Sequence, residues 1–334
     1  MNCWPADREA VVRLVASILG SADFAPDDTF RTSVTRFAEL AQSYRELLAI
    51  MGWDLPGPGK SPLLRSTLLL HPEVTEAPRL AQEVRSALGW GEGPIADHLL
   101  ALAAQHALVF RLPLGEQHSG FFFNHRSIGF CAVVNSQLDL GRHLFALAAQ
   151  LGHAFCHSHF RDAWFSVPDG PHQRFAERFA AQLLVPDTAL HKAVGSLGKD
   201  VDPSHPVIAL HLQRMFGVSY ALVAVRLRQS GLISEQSYRQ MGKVSPSGMA
   251  PGLGYSPNPV DRGRGANPPP LATAPRPMLQ LVCTALTNKG VLTPIQAARV
   301  LAVPAESVSG LGEFPPVEES ESAIWDEMDR LGGW

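Results

Sequence analysis

The chain has 334 residues, 46% of them hydrophobic, and a formal net charge of −3 at pH 7. That is ample apolar content for a packed core, and too little net charge for a global argument toward nucleic acid or membrane. Four scattered cysteines without a C-x-x-C pair, no basic-then-apolar leader and no apolar run near bilayer length set the expectation of a cytoplasmic protein with reduced thiols.

Residues 1–55 read as a helical N-terminal segment. Val11, Val12, Leu14, Val15, Ile18 and Leu19 recur at helical spacing, and a second helix is expected over 29–51. That helix carries Phe30, Val34, Phe37, Leu40, Ala41, Tyr44, Leu47 and Leu48 on one side, and Gly52 stops it. Helices are expected over 76–88 and 94–105. Three short apolar strands follow, at 110–114, 119–123 and 129–135, each broken by turn residues. They lead into a helix over 140–157, a second over 173–184 that ends at Pro186, and a pair over 207–216 and 220–229. A small sheet backed by helices is an α+β arrangement, placed at 76–241. In the run Phe121-Phe122-Phe123, at least one ring is expected to face a cleft or the surface; core packing against the helix at 140–157 is the main reading, and an apolar edge for an added peptide strand is the alternative.

Residues 242–277 are rich in Gly, Pro and Ser and read as a linker. Residues 278–334 form a helical C-terminal module, in which 292–303 resembles the first helix and turn of a helix-turn-helix. Between residues 278 and 311 only Lys289 and Arg299 are basic, too few for much phosphate neutralisation, and the stretch 313–329 is acidic.

The stretch Leu147-Ala148-Ala149-Gln150-Leu151-Gly152-His153-Ala154-Phe155-Cys156-His157 carries the chemistry. It reads like the segment in which a zinc protease writes H-E-x-x-H. There, two histidines four apart leave one helix face and hold the metal, and the Glu takes a proton from zinc-bound water. Here the first His position is Ala149, which has no donor atom. The base position is Gln150, whose amide accepts no proton at neutral pH. His153 alone remains.

With Val133-Val134-Asn135 before it, and the run 175–186, Phe216-Gly217-Val218-Ser219, Arg226-Leu227 and Gly231-Leu232-Ile233-Ser234 after it, the ordered series resembles the ImmA/IrrE family of bacterial zinc metallopeptidases. The resemblance covers about residues 80–240. It implies a zincin-like minimal metallopeptidase domain. It also places the third metal ligand at Gln173 and puts Glu177 where the family writes Asn. Relatives that open with a DNA-binding domain set the expectation that this N-terminus is shorter than the fused type.

With Ala149, Gln150 and Gln173 all altered and the apolar scaffold kept, the resemblance implies a catalytically inactive pseudopeptidase without a resident cofactor. Its role would be regulatory binding in transcriptional or stress control, with a protein partner such as a helix-turn-helix repressor. Two alternatives stay open. One is an active zinc endopeptidase with non-standard ligands, His153 and His157, completed by His159 or His143. His118, His125 and Cys156 lie near in sequence, and Glu116, Glu177 or Asp139 would be its base. The other is a DNA-binding regulator acting through the C-terminal module.

Overall fold

A computed structural model describes residues 27–52, 73–95, 108–125, 129–157, 170–198, 200–255, 274–287 and 291–308. The sheet consists of β1 (Leu108–Leu112), β2 (Gly120–His125) and β3 (Gly129–Asn135) in the order β1-β3-β2. β1 runs parallel to β3, and β2 antiparallel to it. In chain order the helices are α1 (Asp28–Met51), α2 (Ala77–Ala87), α3 (Leu140–His157), α4 (Pro171–Leu184), α5 (Asp187–Ser196) and α6 (Pro206–Phe216). They continue with α7 (Tyr220–Gln229), α8 (Glu235–Met241), α9 (Pro246–Met249), α10 (Arg276–Thr287) and α11 (Pro294–Leu301). The mixed α+β class expected from the sequence is the class observed. No single helix among the described residues is long and apolar enough to cross a membrane.

Strand side chains alternate between the two faces of a sheet, and here both faces are covered. Leu108, Phe110, Leu112, Phe121, Phe123, Cys131 and Val133 share one buried cluster with α1, α10 and α11. Phe122, Ala132 and Val134 share the other with α2, α3 and α4. A strand buried on both sides reads as a continuous apolar run rather than an alternating one. That corrects the expectation for the three phenylalanines: Phe121, Phe122 and Phe123 are 2%, 0% and 0% exposed. Phe37 of α1 receives the odd-facing rings, meeting Phe110, Phe121 and Phe123 edge-on at centroid distances of 5.0, 5.5 and 5.2 Å.

Local chemistry fixes the ends of the outer helices. Asp27 caps α1 by accepting from the Phe30 N–H at 2.7 Å, and Gly52, at φ 67°, ends it. α11 begins with a reciprocal capping box between Thr293 and Gln296. Its last carbonyls, on Leu301 and Ala302, accept from the Arg36 guanidinium of α1. The N- and C-terminal segments thus close over the same sheet face.

On the opposite face, α3 and α4 pack at small residues. A Cβ on Gly152 would stand 3.0 Å from both Ala176 Cα and Phe179 Cδ1, so only glycine admits this approach. Arg85 of α2 is buried and donates to the carbonyls of Gly91, Leu183 and Gly93 at 2.8, 2.6 and 2.6 Å. It ties the end of α4 to the loop after α2. The boundary expected at 242 falls inside ordered chain. Ser245 caps α9, Ala250 is buried, and Tyr255 bonds His211 Nδ1 at 3.0 Å beneath the Arg214 guanidinium. The expected helix 94–105 and the helix before Gly20 lie outside the described residues, apart from Pro94 and Ile95.

Candidate functional site

The α3–α4 contact brings His153 and Gln173 together. Gly152 lets the helices approach, and the next residue of α3 then faces the first turn of α4. His153 is fully buried, with Phe122 lying near-parallel at a centroid distance of 6.4 Å. Its Nε2 lies 2.9 Å from Gln173 Oε1, and Gln173 Nε2 donates to Glu177 Oε1 at 2.8 Å.

This chain of bonds sets the imidazole tautomer. Because Glu177 takes the amide's donor end, Gln173 presents its oxygen to His153, and a carbonyl oxygen only accepts. His153 Nε2 must therefore carry the hydrogen, which leaves that nitrogen no lone pair for a metal. Burial pushes the His153 pKa down to about 4, opposed by the Gln173 hydrogen bond and assisted by the neighbouring His172. The ring is held neutral.

Gln150 lies one turn earlier on α3, 3% exposed, against the start of β2. Its Nε2 would be 3.2 Å from a Cβ on Gly120, whose other near neighbour would be the Val133 carbonyl at 2.6 Å. Gly120 thus makes room for both a sheet carbonyl and this amide. Among the described residues Gln150 Oε1, which is buried, has no hydrogen-bond partner. Ala149 is buried in the apolar core.

These donors do not fit a catalytic zinc, which takes three protein ligands and keeps a water on the fourth position. Ala149 supplies no atom, Gln150 and Gln173 supply neutral amides, and the His153 nitrogen facing Gln173 is protonated. Among the described residues, no three His, Cys, Asp or Glu side chains converge in a way that could hold a metal ion.

The further candidates separate. His143 lies ten residues before His153 on the same helix, about 15 Å away along the axis at 1.5 Å per residue. His118 meets Phe30 at a tilt, with ring centroids 4.5 Å apart, in the α1 layer. Asp139 caps α3 and pairs with Arg142, and Glu116 is exposed. Glu177 alone of the carboxylate candidates joins the site. The side chains of His125, Cys156 and His157, and the whole of His159, lie outside the described residues.

Sequence reasoning missed two contributors. His172, next to Gln173, acts on His153 electrostatically; its place in the first turn of α4 was the available signal. Asn135, quoted only as part of V-V-N, organises the loop after β1. Its Oδ1 accepts from the Leu114 and Gln137 N–H groups at 3.2 and 3.0 Å, and its Nδ2 donates to the Gly115 and His118 carbonyls at 2.7 and 2.8 Å. An Asn at a strand end before a turn is the kind of residue that makes such bonds.

Residues 103–228 match the family model described as the IrrE N-terminal-like domain. No curated protein matches the chain.

Proposed function

We propose that the chain uses residues 103–228, the segment that matches the IrrE N-terminal-like domain, as an ImmA/IrrE-like pseudopeptidase, a regulatory binding protein that holds a partner without cutting it. The observation that carries this reading is the bond chain His153–Gln173–Glu177, in which the third-ligand position is a neutral amide bonded to His153 instead of a carboxylate. Gln150 supports it, since an amide offers a donor and an acceptor to a peptide backbone but no base to activate water. β2 lies at a sheet edge beside that amide, where an extended segment can add as a further strand. The class of partner is the one the resemblance implies, a helix-turn-helix repressor in bacterial transcriptional or stress control, met in the cytoplasm.

Elemental analysis of untagged protein, beside a His153→Ala control, tests the reading. The expected result is zinc well below one equivalent and unchanged in the variant, with no chelator-sensitive cleavage of a candidate repressor. Near-stoichiometric zinc that His153→Ala removes would overturn it and favour an active site with non-standard ligands.

A further inference from the structure

The loop between β1 and β2, residues 113–119, is held from two sides. On one side the start of α1 grips it. Ser33 Oγ donates to the Pro113 carbonyl, and the Asp27 carboxylate that caps the helix also stands against Gly115. A Cβ on Gly115 would lie 2.6 Å from Asp27 Oδ2, and the residue sits at φ 75°, so glycine is required there on both counts. Phe30 meets the His118 ring at 4.5 Å and the Phe121 ring at 5.7 Å. Burial pushes the His118 pKa down and the Asp27 charge opposes it, as befits neighbouring side chains.

On the other side stands Asn135. Its side chain bonds Leu114, Gly115 and His118, and its own N–H donates to the Ser119 carbonyl at 2.9 Å. Both elements that flank Gln150 start from this point. Gly120 follows Ser119 directly and packs against the Gln150 amide with no room for a side chain. Asn135 Oδ1 also accepts from the Gln137 N–H at 3.0 Å, two residues before Asp139, which caps the helix carrying Gln150 and His153. Close-packed groups pass a displacement on rather than absorb it, so a shift of this loop moves Gly120 relative to Gln150.

We propose that Asp27 and Ser33 are positioning residues, through which α1 sets the place of Gly120 against Gln150. The first turns of α1 are thus a handle on the pseudopeptidase site, and a partner that displaces them alters the site without touching it. By reciprocity, a change at Gln150 alters how firmly α1 holds the loop. The linkage is a property of the protein by itself and is measured without a partner. Losing it would leave the pseudopeptidase reading standing, and losing that reading would leave the linkage.

The test is native-state hydrogen exchange and NMR on the isotope-labelled full chain. Asp27→Ser keeps an oxygen to cap α1 while withdrawing the carboxylate from Gly115, and Ser33→Ala removes the donor to Pro113. The double variant is expected to exchange the Leu114 N–H at least about tenfold faster, as befits loss of a buried hydrogen bond that holds the loop. It is also expected to shift the side-chain amide resonances of Gln150. Amides of α7, across the sheet from α1, exchange as in the parent. From the other end, Gln150→Ala shifts the ring resonances of His118. Ser33→Ala alone, the mildest change, serves if the double variant does not fold. The proposal is overturned if Leu114 is released while Gln150 and Gly120 keep the parent resonances, since α1 then holds the loop without positioning the site. It is equally overturned if Leu114 exchanges as in the parent, or if every amide, α7 included, speeds up together, the mark of a merely structural role.

Discussion

Acidification from pH 7 to pH 5 should destabilise this protein by several kcal/mol, and two buried imidazoles carry most of the loss. His153 and His143 have pKa values pushed down to about 4 and about 3 by burial first. A histidine in the unfolded chain titrates near 6.5. Between the two values the unfolded state binds a proton that the folded state refuses, so stability is full above about pH 6.5 and falls as pH drops. At about 1.4 kcal/mol per pH unit, each imidazole contributes a loss of about 2 kcal/mol by pH 5. Together that is about 4 kcal/mol, a large share of the roughly 5–15 kcal/mol typical of a folded protein. His118, also lowered by burial, adds in the same direction. Asp187, whose carboxyl is held low by Ser230 and Arg226, acts only in more acid solution. Urea unfolding at pH 7 and pH 5, on the parent and on His153→Gln, separates the shares. Glutamine keeps an N–H toward Gln173 without a titrating ring, so the variant should lose about 2 kcal/mol less between the two pH values. Equal stability of the parent at both, or an unreduced loss in His153→Gln, would refute the reasoning.

Other perturbations follow from the packing and the site. Gly152→Ala should cost about 1–3 kcal/mol by forcing α3 from α4, read as a lower urea midpoint with an unchanged slope. Phe37→Ala empties the centre of the cluster between the sheet and α1 and should cost about 3–5 kcal/mol by the same measurement. Arg85→Met leaves three carbonyls without their donor and should destabilise by about 3 kcal/mol or more, with hydrogen exchange rising first at the end of α4. The triple change Ala149→His, Gln150→Glu and Gln173→Glu should yield protein carrying about one equivalent of zinc, and a folded triple variant free of metal would show that these positions do not converge.

Helix positions were legible because their punctuation is local. The span 140–157 follows from the motif it carries, and 220–229 lies where it was expected, with Ser219 accepting from the Leu222 N–H at 3.2 Å to cap it. α5 and α8 were not read, since α5 starts directly after Pro186 and α8 is only seven residues long. The phenylalanine run was misjudged for a different reason: what covers the second sheet face comes from α1, α10 and α11, far away in sequence. At the site, the altered positions Ala149, Gln150 and Gln173 were visible as residue types. The bond between Gln173 and His153, and hence the tautomer, depends on Glu177 taking the other end of the amide, which no spacing rule reveals.

The matched segment 103–228 shares a core with elements outside its limits. Cut out at those limits, it would lay bare Leu108, Phe110, Leu112, Phe121, Phe123 and Val133, an oily floor with two strand edges beside it. Such a surface invites stacking between copies. The matched segment is therefore not a unit of folding by itself, and a stable piece of this protein must bring along the helix at 28–51 and the pair at 276–301.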